Sequence, residues 1–317
     1  MNEQARDRTA AQPSSDSVRS QVAVGTQRTG RFKWSNVRRY PLISGFVLVV
    51  LILVGVLAPI IEPKDPNDQE LRARAAPGFW NPAWYDEHPK VTQRYFLGAD
   101  EVGRDVLSRM MDGAKISLLV VVVALGAGMT VGTVLGLFSG YFSGMIDSAI
   151  LLVWNIWAAI PFLLVALAIA SVVGSSLAMV MGLLAMVSWS AFVRNVRAEV
   201  LVLRDRDFVQ QARISGASPV RILWKHILPN VINTVIVIAT LRVGGLILAE
   251  ASLSFLGVGI PGPQATWGNM VADGRGFLAD AWWIALWPGL AIFTVVMSLN
   301  FIGDWLRDRW DPRLRQV

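Results

Sequence analysis

Six apolar stretches dominate this sequence, and they constrain its fold more than any other feature. They cover roughly residues 42–61, 116–138, 148–171, 177–193, 231–257 and 284–303. A helix needs about 20 apolar residues to cross the hydrocarbon core of a bilayer. Charged residues make up only 16% of the chain, against about 25% in typical soluble domains. The sequence therefore predicts an all-α integral membrane protein with six transmembrane helices. The third and fourth stretches are expected to form a tight helical hairpin.

The basic residues predict how these helices are oriented. Residues 1–41 carry eight Lys or Arg, residues 194–229 carry seven, and the tail after Gly303 carries four, whereas residues 258–283 carry only Arg275. Because cytoplasmic loops are enriched in Lys and Arg, both termini and the 194–229 loop are expected in the cytoplasm. Residues 65–110 are then expected outside a cytoplasmic (inner) membrane that the chain crosses several times. The excess of basic residues thus reflects topology, and no nucleic-acid partner is expected.

Composition divides the chain into three parts. Residues 1–38 are rich in Ser, Thr, Gln and Arg, which predicts a disordered cytoplasmic tail. Residues 39–115 are expected to hold the first transmembrane anchor and an extracytoplasmic segment, with an amphipathic helix over 97–115. Residues 116–317 form the predicted transmembrane core with its cytoplasmic loop 194–229. Aromatic residues near the span ends suit the membrane interfaces or ordinary packing: Trp34, Tyr40, Trp282, Trp283 and Trp305.

A stripe of glycines runs along the second predicted span. Residues four apart lie on nearly one face of a helix. Such a stripe allows a neighbouring helix to approach closely, which favours association within a bilayer. The stripe predicts helix packing, either inside this chain or against a partner subunit. Its members are Gly128, Gly132, Gly136 and Gly140.

Polar residues inside the predicted spans are candidates for a translocation path. An ionisable group at the centre of a span costs about 2.5–3.5 kcal/mol on insertion scales, so Arg242 and Glu250 are expected to face a bundle interior or water. Eight residues of helix rise about 12 Å, so the two are not expected to touch, and each is expected to have a partner elsewhere in the complex. A structural role across helices remains open, as does a position of Glu250 near the outer surface. Asn155 and Asn300 are weaker candidates of the same kind.

The sequence lacks the motifs of a motor or a catalytic site. A P-loop needs Gly before Lys, but the five lysines follow Phe32, Pro63, Pro89, Ala114 and Trp224. The chain has no cysteine, only two histidines, and neither an H-E-x-x-H nor a G-x-S-x-G pattern. We therefore expect no catalytic residue, metal or cofactor in this chain, and a pump whose motor is another protein. An ion-coupled secondary carrier is the less favoured alternative.

The loop over residues 207–230 predicts a helix, a break and a second short helix. Gly216 suits the left-handed conformation that ends a helix. Ser218 can cap the next helix, and Pro219 suits its first turn. Pro229 is expected to end that helix. Four apolar residues are expected to share one face, which suits docking to another protein although any helical hairpin has such a face: Val220, Leu223, Trp224 and Ile227.

This loop resembles the EAA motif in membrane subunits of binding-protein-dependent ABC importers. Ala212, Gly216, Leu228 and Pro229 match that pattern, whereas Gln210 and Gln211 replace the first Glu and Ala, and His226 stands where the pattern has Ile. The string H-I-L-P-N is similar to the peptide-permease branch. Four further strings are similar to C-type subunits of dipeptide and oligopeptide permeases, namely residues 97–109, 250–257, 267–270 and 300–312.

The resemblance covers about residue 38 to the end, and it implies a type I ABC importer permease. It implies a heterodimer with a homologous B-type permease, two ATP-binding subunits that hold ATP and magnesium, and an extracytoplasmic binding protein that delivers di- or oligopeptides. Related complexes import nickel chelates or short oligosaccharides, so these substrates remain alternatives. The family's coupling helix maps near 218–226. The implied coupling residues are Ala212, Gly216, Ser218, Pro219, Val220, Leu223, Trp224, His226, Leu228 and Pro229.

Overall fold

The computed structural model describes residues 41–310, so the predicted tail 1–38, Trp34 and Tyr40 lie outside the described residues. The described part is built from helices. They are α1 (Leu42–Ile61), α2 (Ala83–Glu87), α3 (Val106–Phe142), α4 (Gly144–Ala159), α5 (Phe162–Val173), α6 (Leu177–Leu203), α7 (Asp207–Ile214), α8 (Pro219–Arg221), α9 (Leu228–Phe255), α10 (Trp267–Gly274) and α11 (Trp283–Trp310).

Five helices of the described part are long and apolar enough to cross a membrane. They are α1, α3, α6, the continuous run from α8 through α9, and most of α11. The helices α4 and α5 meet the same criteria only together, and they are bent by 84° at the break between them. Six spans result if this bent pair counts as one span.

The third predicted span is therefore broken, and the prediction of a continuous helix over residues 148–171 is wrong. The break lies at Ile160 and Pro161. Ile160 has extended backbone dihedrals, because a following proline disfavours the helical conformation. Pro161 then precedes α5, where its missing N–H costs no hydrogen bond. The chain thus changes direction inside the apolar stretch rather than only at the hairpin after it.

The helix that contains the second span, α3, begins at Val106, whereas the predicted amphipathic helix before that span begins at residue 97. Asp105 caps α3, and its carboxylate accepts hydrogen bonds from the Ser108 backbone N–H at 2.8 Å and from the Ser108 hydroxyl at 2.7 Å. Residues 106–115 continue into the span, while 97–105 form turns with positive φ at Gly98 and Gly103. The predicted helix over 97–115 is therefore wrong for residues 97–105, which are irregular, and confirmed for residues 106–115, which form the first turns of α3.

Residues 62–105 form a folded segment against the first turns of α3 and α11. The Trp283 indole N–H donates to the Ala99 carbonyl at 3.1 Å, and the Lys64 backbone N–H donates to the Ser108 hydroxyl at 3.1 Å. Trp283 is buried and Trp282 is partly exposed, so the former is a packing residue. Burial raises the pKa of the Glu70 carboxyl, but hydrogen bonds from Thr92 and Tyr95 outweigh it and hold that pKa below its usual value.

The predicted cytoplasmic loop 194–229 is shorter at both ends than the sequence suggested. The helix α6 continues to Leu203, so its charged residues 194–203 are helical. Pro229 does not end a helix, because it lies in the first turn of α9. A π-helical turn over Ile222–Ile227 joins α8 to α9, and a proline in a first turn needs no N–H donor.

Candidate coupling and translocation site

The turn between α7 and α8 has the local geometry that its sequence favours. Gly216 adopts φ +78°, which residues with a Cβ rarely adopt. The Ala217 N–H donates to the Ala212 carbonyl at 3.0 Å and closes the end of α7. Ser218 caps α8 by accepting from the Arg221 N–H at 3.4 Å, and Pro219 opens the helix. This turn fixes the direction of α8 relative to α7.

The apolar residues of the second helical piece divide between two faces. Leu223 and Ile227 are 1% and 0% exposed and pack with Leu137 and Val196. Val220 and Trp224 are 56% and 48% exposed. A single apolar docking face is therefore a wrong prediction. Leu223 and Ile227, in the π-helical turn, lie in the core and fix the segment to α3 and α6. Val220 and Trp224 remain on the surface.

The remaining predicted coupling residues surround this segment. Ala212 and Leu228 are partly buried against the cluster that holds Leu223. His226 is partly buried, and its carbonyl accepts a hydrogen bond from the Asn230 amide at 2.6 Å. Pro229 is exposed. The structure thus places an exposed tryptophan and valine beside a rigidly held turn.

The glycine stripe of α3 lies against α6 of the same chain. A Cβ added at Gly136 would lie 2.8 Å from the Val196 Cβ, and one at Gly140 would lie 2.7 Å from the Val200 Cβ. At Gly128 it would meet Ser188, and at Gly132 the backbone of Trp189 and the side chain of Phe192. No side chain larger than hydrogen fits along this line without moving the helices apart.

Glu250 is buried and bound within its own chain. The residue is 1% exposed. Its carboxylate accepts hydrogen bonds from the Ser254 hydroxyl at 2.9 Å and from the Thr266 hydroxyl at 3.0 Å. Thr266 also caps α10, so Glu250 joins the C-terminal end of α9 to α10. The expectation that its partner lies elsewhere in the complex is corrected by these two hydrogen bonds, both of which go to Oε1.

Three other polar candidates differ from Glu250. Arg242 is half-buried, and within residues 41–310 its side chain makes no hydrogen bond or ion pair. Gly245, one turn along, faces open space. Asn155 and Asn300 are exposed and also lack a hydrogen-bond partner in the described part. Asn155 lies in α4, shortly before the break, so polar groups and irregular backbone occur together on that helix.

Comparison with known proteins identifies the class to which this arrangement belongs. Residues 132–316 match the family described as binding-protein-dependent transport system inner membrane component. The chain belongs to this family. It is therefore a membrane-integral permease subunit of an ATP-driven ABC importer, and the family implies partner ATPase subunits and a substrate-binding protein.

Relatives match most of the chain. The dipeptide transport system permease protein DppC of Haemophilus influenzae is 37% identical over 278 residues, which cover 88% of this chain and 92% of that protein. The glutathione transport system permease protein GsiD of Pectobacterium atrosepticum is 35% identical over 272 residues, which cover 86% of each chain.

A solved structure shows the same fold. A chain of the MetNI methionine ABC transporter, in inward-facing conformations, matches with a TM-score of 0.50 and 19% sequence identity. The match covers 61% of this chain and 91% of that chain. The described residues thus have the helical fold of a type I ABC importer permease.

Proposed function

We propose that this protein is the permease subunit through which an ABC importer carries di- or oligopeptides, paired with a homologous B-type permease. The observation that carries the proposal is the similarity, over nearly nine-tenths of the chain, to permeases named for dipeptide transport. A relative named for glutathione transport supports the same class, because glutathione is a modified tripeptide. The chain itself hydrolyses no ATP, and ATP and magnesium bind to its two partner ATPases.

The segment 215–227, between α7 and α9, is the proposed contact with an ATPase, and we call it the coupling turn. Val220 and Trp224 are exposed, whereas their neighbours Leu223 and Ile227 are fixed in the core. Large aromatic side chains often dominate interface energies. A rigidly anchored turn that presents a tryptophan therefore suits the transfer of an ATPase movement into the bundle. This role requires the turn and both termini to be cytoplasmic.

The break between α4 and α5 is the proposed inner wall of the translocation path. Irregular backbone at membrane depth is tolerated only where protein or water covers it, and Ile160 and Asn155 are exposed in this chain. The second permease and the aqueous path would cover that side. Arg242 is the proposed cation of the path, because an arginine in a span needs water or an anionic partner. Asn300 is a further candidate, and Glu250 has a structural role.

The experiment is ATP-dependent uptake of a labelled dipeptide by proteoliposomes that contain the full complex and its binding protein. Trp224→Ala and Gly216→Val are expected to assemble and to abolish uptake. Trp282→Ala is the matched control, since Trp282 is also a partly exposed tryptophan but lies near the start of α11. Wild-type complex without peptide uptake would overturn the proposed function. Normal uptake by both loop variants would show that the turn is only a connector.

The orientation is tested separately. The chain has no cysteine, so one cysteine introduced at Ser218 can be labelled without background. An impermeant maleimide should label it only after the cytoplasmic side is opened. Labelling in intact cells would contradict the proposed topology.

A further inference from the structure

The helix α4 is attached to the rest of the chain in an unusual way. It has no buried residue in the described part of the chain, although it leads directly into the break at Ile160. Close packing therefore does not hold it in place. Its specific attachments are polar or aromatic contacts made by long side chains to α6.

These contacts fall on one stripe of α6. The Trp154 indole N–H donates to the Ser190 carbonyl at 3.0 Å, and the Arg194 guanidinium lies over the Trp154 ring, 5.5 Å from its centroid. In the first turn of α4, Asp147 binds Arg197. Ser190, Arg194 and Arg197 are spaced by four and three residues, so they share a face. We call the three the polar stripe.

Asp147 is the anchor of this attachment. Arg197 binds its carboxylate with two parallel hydrogen bonds, Nε to Oδ1 and Nη2 to Oδ2, each of 2.6 Å. The Ser139 hydroxyl, on α3, donates to the same Oδ1. The side chains of Asp147 and Arg197 are 15% and 25% exposed, respectively. A bidentate arginine–carboxylate pair fixes orientation as well as distance, so Asp147 fixes the first turn of α4 relative to α6.

The same end of α6 leads into the proposed coupling turn. Arg204 follows the last residue of α6, and its guanidinium donates to the Gly140 carbonyl at 3.2 Å and to the Ser143 hydroxyl just before α4. Val200 packs in one cluster with Leu223 and Ile227. The coupling turn, the cytoplasmic end of α6 and the start of α4 are therefore joined by direct contacts.

We propose that the Asp147–Arg197 pair is the positioning contact that makes the broken span follow α6 when the ATPases move the coupling turn. The inference rests on the proposed function. Close packing against α3 makes α6 rigid, so a displacement of the coupling turn moves both helices together. The helix α4 is joined to this unit at its first turn through Ser143, and along its length through the polar stripe. Without Asp147 or Arg197, α6 moves and the break at Ile160 stays behind, so ATP is consumed without transport.

The experiment compares uptake with ATP hydrolysis in the full reconstituted complex. Asp147→Asn and Arg197→Gln are expected to assemble, to keep ATPase activity that the binding protein stimulates, and to lose uptake about tenfold, within the usual range of coupling between sites. The exchange Asp147→Arg with Arg197→Asp restores the pair and should recover most uptake. Asp86→Asn is the matched control, because Asp86 is also an aspartate in a first helical turn but is exposed.

Each outcome decides the inference. Uptake that falls while stimulated ATPase activity persists, and that the exchange restores, supports it. Parallel loss of uptake, ATPase activity and recovered complex would mean that the pair only stabilises the fold, and would overturn it. Normal uptake by both single variants would overturn it as well. A wild-type complex that hydrolyses ATP but imports no peptide would refute the proposed substrate, whereas coupling could still be measured with the substrate that it does import.

Discussion

Two neighbouring helix contacts in this protein are built in opposite ways. The helices α3 and α6 meet along Gly128, Gly132, Gly136 and Gly140, where the backbones are too close for any Cβ. The helices α4 and α6 meet through arginine and tryptophan side chains, and α4 buries no residue. One contact depends on shape along its whole length, and the other depends on a few polar groups.

This difference distinguishes the rigid pair α3–α6 from the broken span, which is attached to that pair by a few contacts. Backbone-close packing without charged groups is insensitive to charge, and interiors packed in this way transmit displacement. An ion pair holds a helix in position only while both partners are present and correctly oriented. The pair α3–α6 is thus suited to carry a movement through the membrane. The broken span is suited to change its position when that movement reaches it.

The largest expected effect comes from breaking the close contact. Gly132→Leu would place a branched side chain against the Trp189 backbone and Phe192, and overpacking of this kind costs about 3 kcal/mol. We expect the recovery of intact complex to fall severely. Gly126→Leu on the same helix is the control, because a Cβ there meets nothing within 4 Å. Equal recovery of both variants, measured by size-exclusion chromatography, would refute the role of the stripe.

A smaller effect is expected where an internal carboxylate joins two helices. Glu250→Ala removes the acceptor of the Ser254 and Thr266 hydroxyls, and the two hydrogen bonds together are worth about 1–3 kcal/mol. The thermal unfolding temperature of the purified complex should fall. Glu250→Gln keeps one acceptor oxygen, so its thermal unfolding temperature should fall less. If Glu250→Ala leaves stability unchanged but abolishes uptake, Glu250 belongs to the translocation path and does not have the proposed structural role.

The smallest effect is expected at the unpaired cation. Arg242→Gln should leave assembly and ATPase activity intact, because Arg242 makes no ion pair within residues 41–310. Uptake of peptides with a free terminal carboxylate should fall about fivefold, as for the loss of a solvent-exposed ion pair of about 1 kcal/mol, while uptake of C-terminally amidated peptides changes less. Equal losses for both peptides would argue against contact with the carboxylate, and loss of assembly would indicate a partner subunit's acid.

The sequence was sufficient for the fold class, the approximate positions of five spans and the local turn at Gly216, because each depends on nearby residues. It was insufficient at residue 161, where a single proline inside an apolar stretch breaks a span that hydropathy shows as continuous. It also missed the division of Val220, Leu223 and Trp224 between surface and core, since a π-helical turn changes the angle between successive residues.

The Asp147–Arg197 pair escaped sequence analysis for a different reason. Its members are 50 residues apart, and Arg197 is one of seven basic residues in the predicted cytoplasmic loop 194–229. The available signal was Asp147 itself, an acid directly before the apolar stretch 148–171. Only the antiparallel approach of α4 and α6 brings that acid to its partner, and pattern reasoning along the chain does not contain this information.

The most direct test of the two kinds of contact is the distance between spin labels in the assembled complex. Because the chain has no cysteine, labels can be placed at exposed positions on α3 (Leu119), α4 (Leu152) and α6 (Val202). Double electron–electron resonance then compares the 119–202 and 152–202 distances with and without ATP and vanadate, using unlabelled partner subunits.

In the wild type, both distance distributions should stay narrow and unchanged between nucleotide states, since α4 follows α6. In Asp147→Asn, the 119–202 distance should stay the same, whereas the 152–202 distance should shift or broaden when ATP binds. An unchanged 152–202 distance in Asp147→Asn would contradict the account, because α4 would then be held by something other than its polar contacts with α6.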